Sequence, residues 1–297
     1  MAIKDDGRLA VRETLKLAWG DVMSHWKRGL ALLLLLYIPT ILLYAAGLAK
    51  WLFLGNAGPW TQMLVALLLY LAVLLFSCAV YVLFIRLFLV GPRYVFRISA
   101  GQLARYSLRF LWKMVQYFLM VTVVLFVLLV PCMILLAILG VAFQAGAVST
   151  STAVGWLAFL LPLAVWLVTM ALHLVLAVRL YPTFFGTTVG QIIRFRESWR
   201  TMDGYTWRTI LALVPPMLIM IVSFIIIFIV MLRGMMHSGG NMVAFFESSS
   251  DLWWVWLVTL PVTYISYGWA VGVLSQLYRD MWPAPAMLDA PSHTEEP

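Results

Sequence analysis

Between Asp21 and Glu197 the chain has no acidic residue, and charged residues make up 11% of its 297 positions against 64% apolar. A soluble domain runs near a quarter charged, so this composition excludes a soluble enzyme. Cysteine is scarce as well. Cys78 and Cys132 both lie inside apolar runs and read as small hydrophobes rather than as a disulfide framework. The sequence has no HExxH, Walker, GxSxG or CxxC pattern, so hydrolytic zinc, nucleotide and nucleophile-elbow chemistries lack their parts. No carboxylate falls in the expected hydrocarbon region, which disfavours a transporter driven by an intramembrane Asp or Glu. Neither enzyme activity, nor a cofactor, nor a metal site, nor a nucleic-acid partner is expected.

What is abundant is uninterrupted apolar sequence. Arg28 and Lys50 bracket 21 uncharged residues, Lys50 and Arg86 bracket 35, Lys113 and Arg179 bracket 65, Arg208 and Arg233 bracket 24, and Asp251 and Arg279 bracket 27. A spanning helix needs about 20 apolar residues, so these runs hold six spans, near 29–50, 62–90, 114–143, 154–181, 208–232 and 252–278. The first 28 residues mix basic and acidic side chains before a run too long for a signal-peptide core, so the first span reads as retained.

Lysine and arginine fall almost entirely on one side of these spans. Six lie in residues 1–28, six in 86–113, five in 179–208, and Arg279 ends the last span, whereas Lys50 and Arg233 alone occupy the alternate segments. That asymmetry places both termini in the cytoplasm. Trp26, Trp112, Trp199, Trp207 and Trp282 mark the basic side, and Trp51, Trp60, Trp156, Trp253 and Trp254 the other, as aromatic belts do. The far-side connections at 55–59 and 147–152 have turn compositions, while the longer one, around 238–251, carries Phe245 and Phe246. After Trp282 the chain turns proline-rich and acidic, and residues 283–297 read as a disordered cytoplasmic tail behind a single membrane domain of residues 1–282.

The membrane domain shows a threefold repeat, over about 8–90, 98–181 and 190–279. Each unit has a basic amphipathic stretch, an anchor (Trp26-Lys27, Trp112-Lys113, Trp207-Arg208), a span, and a second span closing on Ile85-Arg86-Leu87-Phe88, Val178-Arg179-Leu180-Tyr181 or Ser275-Gln276-Leu277-Tyr278. The anchors are spaced by 86 and 95 residues and the closing phrases by 93 and 97. The expected fold is an all-α integral membrane protein: three parallel repeats, each an interfacial amphipathic helix plus a transmembrane hairpin, about a pseudo-threefold axis along the membrane normal. In the amphipathic stretches, Val11, Leu15, Ala18, Trp19 and Val22 share a face in the first, Leu103, Tyr106, Phe110 and Met114 in the second, and Ile192, Phe195, Trp199 and Met202 in the third. Prolines punctuate five spans, and the pair Pro215-Pro216 predicts a bend or break in the fifth.

Candidate site residues follow from charge. Arg105, Arg109 and Lys113 form a like-charge row at i, i+4, i+8 with no acid between them and, together with Arg194, Arg196 and Arg200, suit anionic lipid headgroups. The bland reading makes these stretches elbows that enforce topology. Arg86 and Arg179 could anchor lipid phosphate or simply snorkel at helix ends. His173, six residues and about 9 Å of helix before Arg179, is a candidate intramembrane polar site. Its alternative is a hydrogen bond to a neighbouring helix. Glu197 is expected to pair with a nearby arginine, and Asp203-Gly204 to form a turn.

Two family comparisons bear on these residues. Mitochondrial carriers share the six spans and three repeats, but their acidic motif is absent: Pro39, Pro131 and Pro215 are followed two residues later by Ile41, Met133 and Met217. By contrast, Val-Arg-Leu-Tyr-Pro at 178–182, Phe195 through Gly204 and then Trp207-Arg208 resemble the bacterial six-helix proteins grouped with the membrane domain of glycerophosphoryl diester phosphodiesterases and with the YciC-like family. Gly91-Pro92-Arg93-Tyr94 through Gly101 is similar to the middle of that superfamily. These motifs are topogenic, and no phosphodiesterase domain accompanies them. The resemblance implies an inner-membrane protein of unassigned biochemical role. The reading from residues is a non-enzymatic scaffold, assembly or lipid-associated envelope component, with anionic lipids and a membrane protein as partners. The alternative is a transporter or channel for a lipid-like or other apolar solute through a central cavity.

Overall fold

A computed structural model describes residues 10–53, 58–144, 152–237 and 253–282. Residues 54–57, 145–151 and 238–252 of the far-side connections, Lys50 and Arg233 as side chains, and the tail lie outside what is described. The described residues form seven α-helices and no strand: α1 (Val11–Phe53), α2 (Pro59–Leu89), α3 (Ala100–Gln144), α4 (Thr152–Thr188), α5 (Phe195–Thr201), α6 (Thr206–His237) and α7 (Trp253–Met281). Four segments are long and apolar enough to cross a membrane, Trp60–Leu89, Ala100–Val127, Leu167–Thr188 and Thr206–Ile226. The span expected at 29–50 lies within α1, and the described part of that expected at 252–278 lies within α7.

Local chemistry sets the helix ends at the basic side. Ser99 and Gln102 cap α3 reciprocally, the Gln102 N–H donating to Ser99 Oγ at 3.2 Å and the Ser99 N–H to Gln102 Oε1 at 3.1 Å. At the end of α4, Gln191 N–H donates to Gly186 O at 2.8 Å and Gly190 N–H to Thr187 O at 3.4 Å, a Schellman closure. Gly190 holds φ at +84° there, and a Cβ on it would lie 2.8 Å from the Tyr106 hydroxyl, so backbone and neighbour both require glycine.

The amphipathic stretches differ from the expected interfacial helices. The first two run without a break into the spans as α1 and α3; only the third is a separate short helix, α5, cut from α6 where Gly204 takes φ +83°. Trp26-Lys27 and Trp112-Lys113 carry nothing that stops a helix, whereas Asp203-Gly204 does, making the expected turn. Part of each apolar face also turns inward, while Trp19, Ile192 and Trp199 stay exposed. Ala18, Val22, Phe110 and Met202 are buried in the protein core. No break occurs at Pro215-Pro216 either, because α6 runs through both prolines, and Ser266 Oγ of α7 donates to Pro216 O at 2.8 Å.

α1 packs against α2, α7 and α6; α3 against α2 and α4; α6 against α7 and α4; and α2, α4 and α7 touch one another. The seam between the first and last helices is close. Gly272 brings α7 to within 3.2 Å of Ala18 Cβ, counted from where its own Cβ would be. Tyr264 Oη donates to Val22 O at 3.0 Å, Trp269 Nε1 donates to Leu15 O at 3.1 Å, and the Trp19 and Trp269 rings meet edge to face. Away from this core, Leu64, Leu67, Leu68, Phe118, Leu119, Val123, Phe224, Ile225 and Phe228 are exposed. So much contiguous apolar surface suits a bilayer and not water.

Candidate functional site

Arg86, Arg179 and Gln276, one from each closing phrase, all make cross-helix contacts. Arg86 Nη1 donates to Thr188 O at 2.8 Å, tying α2 to the end of α4. Arg179 Nε donates to Thr206 Oγ1 at 3.1 Å, its Nη2 pairs with Asp203 at 3.1 Å, and its guanidinium lies 4.4 Å from the Trp199 ring centroid. Gln276 Nε2 donates to Asp21 Oδ2 at 2.8 Å, and Arg279 pairs with the same oxygen at 3.0 Å. The Asp203 carboxylate is 77% exposed, so that pair adds little. The stacking on Trp199 and the bond to Thr206 fix Arg179 more firmly. Both arginines offered to lipid phosphate are therefore engaged by the protein. Arg86 differs in one respect: its Nε is buried with no hydrogen-bond partner among the described residues.

The sequence reading did not single out Asp21, Gln276, Thr188 or Thr206. A signal existed for Asp21, which precedes Trp26 by five residues much as Asp203 precedes Trp207 by four. Backbone acceptors such as Thr188 O leave no trace in a sequence.

The like-charge row of α3 divides. Arg105 is exposed, while Arg109 and Lys113 are half-buried and line an open cavity of about 650 Å³ with Leu108, Leu111, Trp112, Val115, Thr187 and Ile192. Lys113 Nζ lies 4.4 Å from the Phe195 ring centroid, a cation–π contact that ties α3 to α5. Arg194, Arg196 and Arg200 are exposed on or beside α5 and line none of this cavity. Glu197 accepts the Arg194 backbone N–H at 3.5 Å.

His173 is exposed on α4, with both ring nitrogens 3.3 Å from Tyr117 Oη of α3 and the two rings edge to face. Among the described residues no group of His, Cys, Asp or Glu could hold a metal ion. No protein-family model matches the chain, and no curated protein or solved structure is similar to it.

Proposed function

We propose that the protein is a non-enzymatic, multi-pass scaffold or lipid-associated component of a bacterial inner membrane, with its basic end and both termini in the cytoplasm. The observation that carries this reading is the basic end itself. There Arg86, Arg179, Gln276 and Arg279 hold helices together, while Arg109 and Lys113 line a cavity whose other walls are mostly apolar.

The six-span, three-repeat arrangement belongs to the same proposal. Helix packing supports it: α1, α3 and α6, the first spanning helices of the three units, each pack on the second helix of their own unit and on that of the preceding one, α7, α2 and α4. The contacts among α2, α4 and α7 suit an inner ring of second helices. The extra contact between α1 and α6 departs from strict threefold symmetry. The likeness of residues 178–208 to the YciC-like proteins fits this arrangement.

Native mass spectrometry of the protein released from its own membrane tests the function. Retained protein subunits are the expected result. A monomer without protein subunits that carries one stoichiometric apolar solute other than a phospholipid would replace the scaffold with a transporter.

A further inference from the structure

The cavity beside α3 joins two cations to an apolar wall. Arg109 and Lys113 stand four residues apart on α3 and so share one of its faces. Leu108 and Trp112 are each 60% exposed and Ile192 is 70% exposed around them. Like charges at this spacing repel each other, and the described ion pairs, Arg179–Asp203 and Arg279–Asp21, leave both cations out.

The other two amphipathic stretches show what is missing. Asp21, five residues before Trp26, accepts from Gln276 and Arg279, and Asp203, four residues before Trp207, pairs with Arg179. The corresponding places before Trp112 hold Ser107 and Leu108, neither of them acidic. Arg86, which stands where Arg179 and Gln276 stand, donates to a backbone carbonyl instead of a carboxylate. The second stretch is thus a cationic place without a built-in anion.

We infer that an anionic phospholipid occupies this cavity. Its phosphate lies between Arg109 and Lys113, and an acyl chain follows the wall of Leu108, Trp112 and Ile192 toward the exposed Phe118 and Leu119 of α3. The lipid supplies a negative charge to a stretch that, unlike the first and third with Asp21 and Asp203, carries none of its own at that place. The charge of the site demands an anion, and the apolar wall demands that the anion carry hydrocarbon; a hydrated phosphate would leave that wall uncovered. This inference rests on the membrane reading above, but not on the scaffold role, so loss of lipid preference would leave retained protein subunits as a separate result.

The test titrates phosphatidylglycerol or phosphatidylcholine, with matched acyl chains, into the delipidated full chain and counts bound lipid by native mass spectrometry. One phosphatidylglycerol should bind in preference to phosphatidylcholine. R109Q/K113Q should weaken phosphatidylglycerol about thirtyfold, the effect of removing two basic residues from an anionic lipid. R93Q/R97Q, which removes as much charge from the loop between α2 and α3, should leave it unchanged. R109K/K113R should keep wild-type binding, which separates lost charge from lost folding. Four results would overturn the inference: no preference between the lipids, equal losses from both glutamine pairs, competition by inorganic phosphate at equal potency, or a second copy of the chain in place of the lipid.

Discussion

The side-chain amide of Gln276, on the last helix, donates at 2.8 Å to the carboxylate of Asp21 on the first. Arg279 reaches the same oxygen at 3.0 Å, so one acid joins the two ends of the membrane domain. Asp21→Ala should therefore loosen the α1–α7 seam. Arg279 is 42% exposed as a side chain, which screens the ion pair, and the expected loss is about 1 kcal/mol. Thermal unfolding in detergent, followed by tryptophan fluorescence, should show a midpoint lower by about 2–4 °C. Asp21→Asn, which keeps an acceptor for Gln276, should lose less.

Gly190 and Gly91 both hold a positive φ, at +84° and +83°, but only Gly190 faces a neighbour, the Tyr106 hydroxyl. Alanine at Gly91 should cost about 1 kcal/mol, the penalty of a left-handed backbone. At Gly190 the steric contact adds to that penalty. Gly190→Ala should be the more destabilising of the two, and adding Tyr106→Phe should recover part of the difference. Equal midpoints for the two alanine variants would contradict the close approach of α3 to the 189–191 turn.

Tyr117 and His173 form a polar pair between α3 and α4. Hydrogen bonds between membrane helices average about 0.6 kcal/mol. A double-mutant cycle with Tyr117→Phe and His173→Leu should give a coupling of about that size. A coupling several times larger, or a change in retained ligand on His173→Leu alone, would point to a functional site.

Much of this architecture was legible because it follows from crude quantities. The uncharged runs between Arg28, Arg86, Lys113, Arg179 and Arg208 place the helices, since a bilayer tolerates little else. What misled the reading was inference from periodicity to environment. Ala18, Val22 and Phe110 share amphipathic faces that fit a membrane interface equally well, yet they are buried against neighbouring helices, because a helix face records that something apolar covers it and not what that is. For a related reason, Pro215-Pro216 does not break its helix. Loss of backbone donors is a local cost that the surrounding helices can absorb, and α7 packs alongside with Ser266 on Pro216 O. Within the site, the α3 row was visible from charge, but its division into exposed Arg105 and cavity-lining Arg109 and Lys113 depends on where Thr187 and Ile192 return to α3. No local pattern encodes that return.

Accessibility of single cysteines in intact bacterial cells tests the membrane arrangement most directly. In a background with Cys78 and Cys132 replaced by alanine, cysteines at Ala100, Arg196 and Asn241 would be challenged with a membrane-impermeant thiol reagent. Positions 100 and 196, both exposed at the basic end, should stay unlabelled until the membrane is opened, and position 241 should label from outside. Labelling of position 100 or 196 in sealed cells would contradict the placement of the basic end in the cytoplasm and the three parallel repeats together.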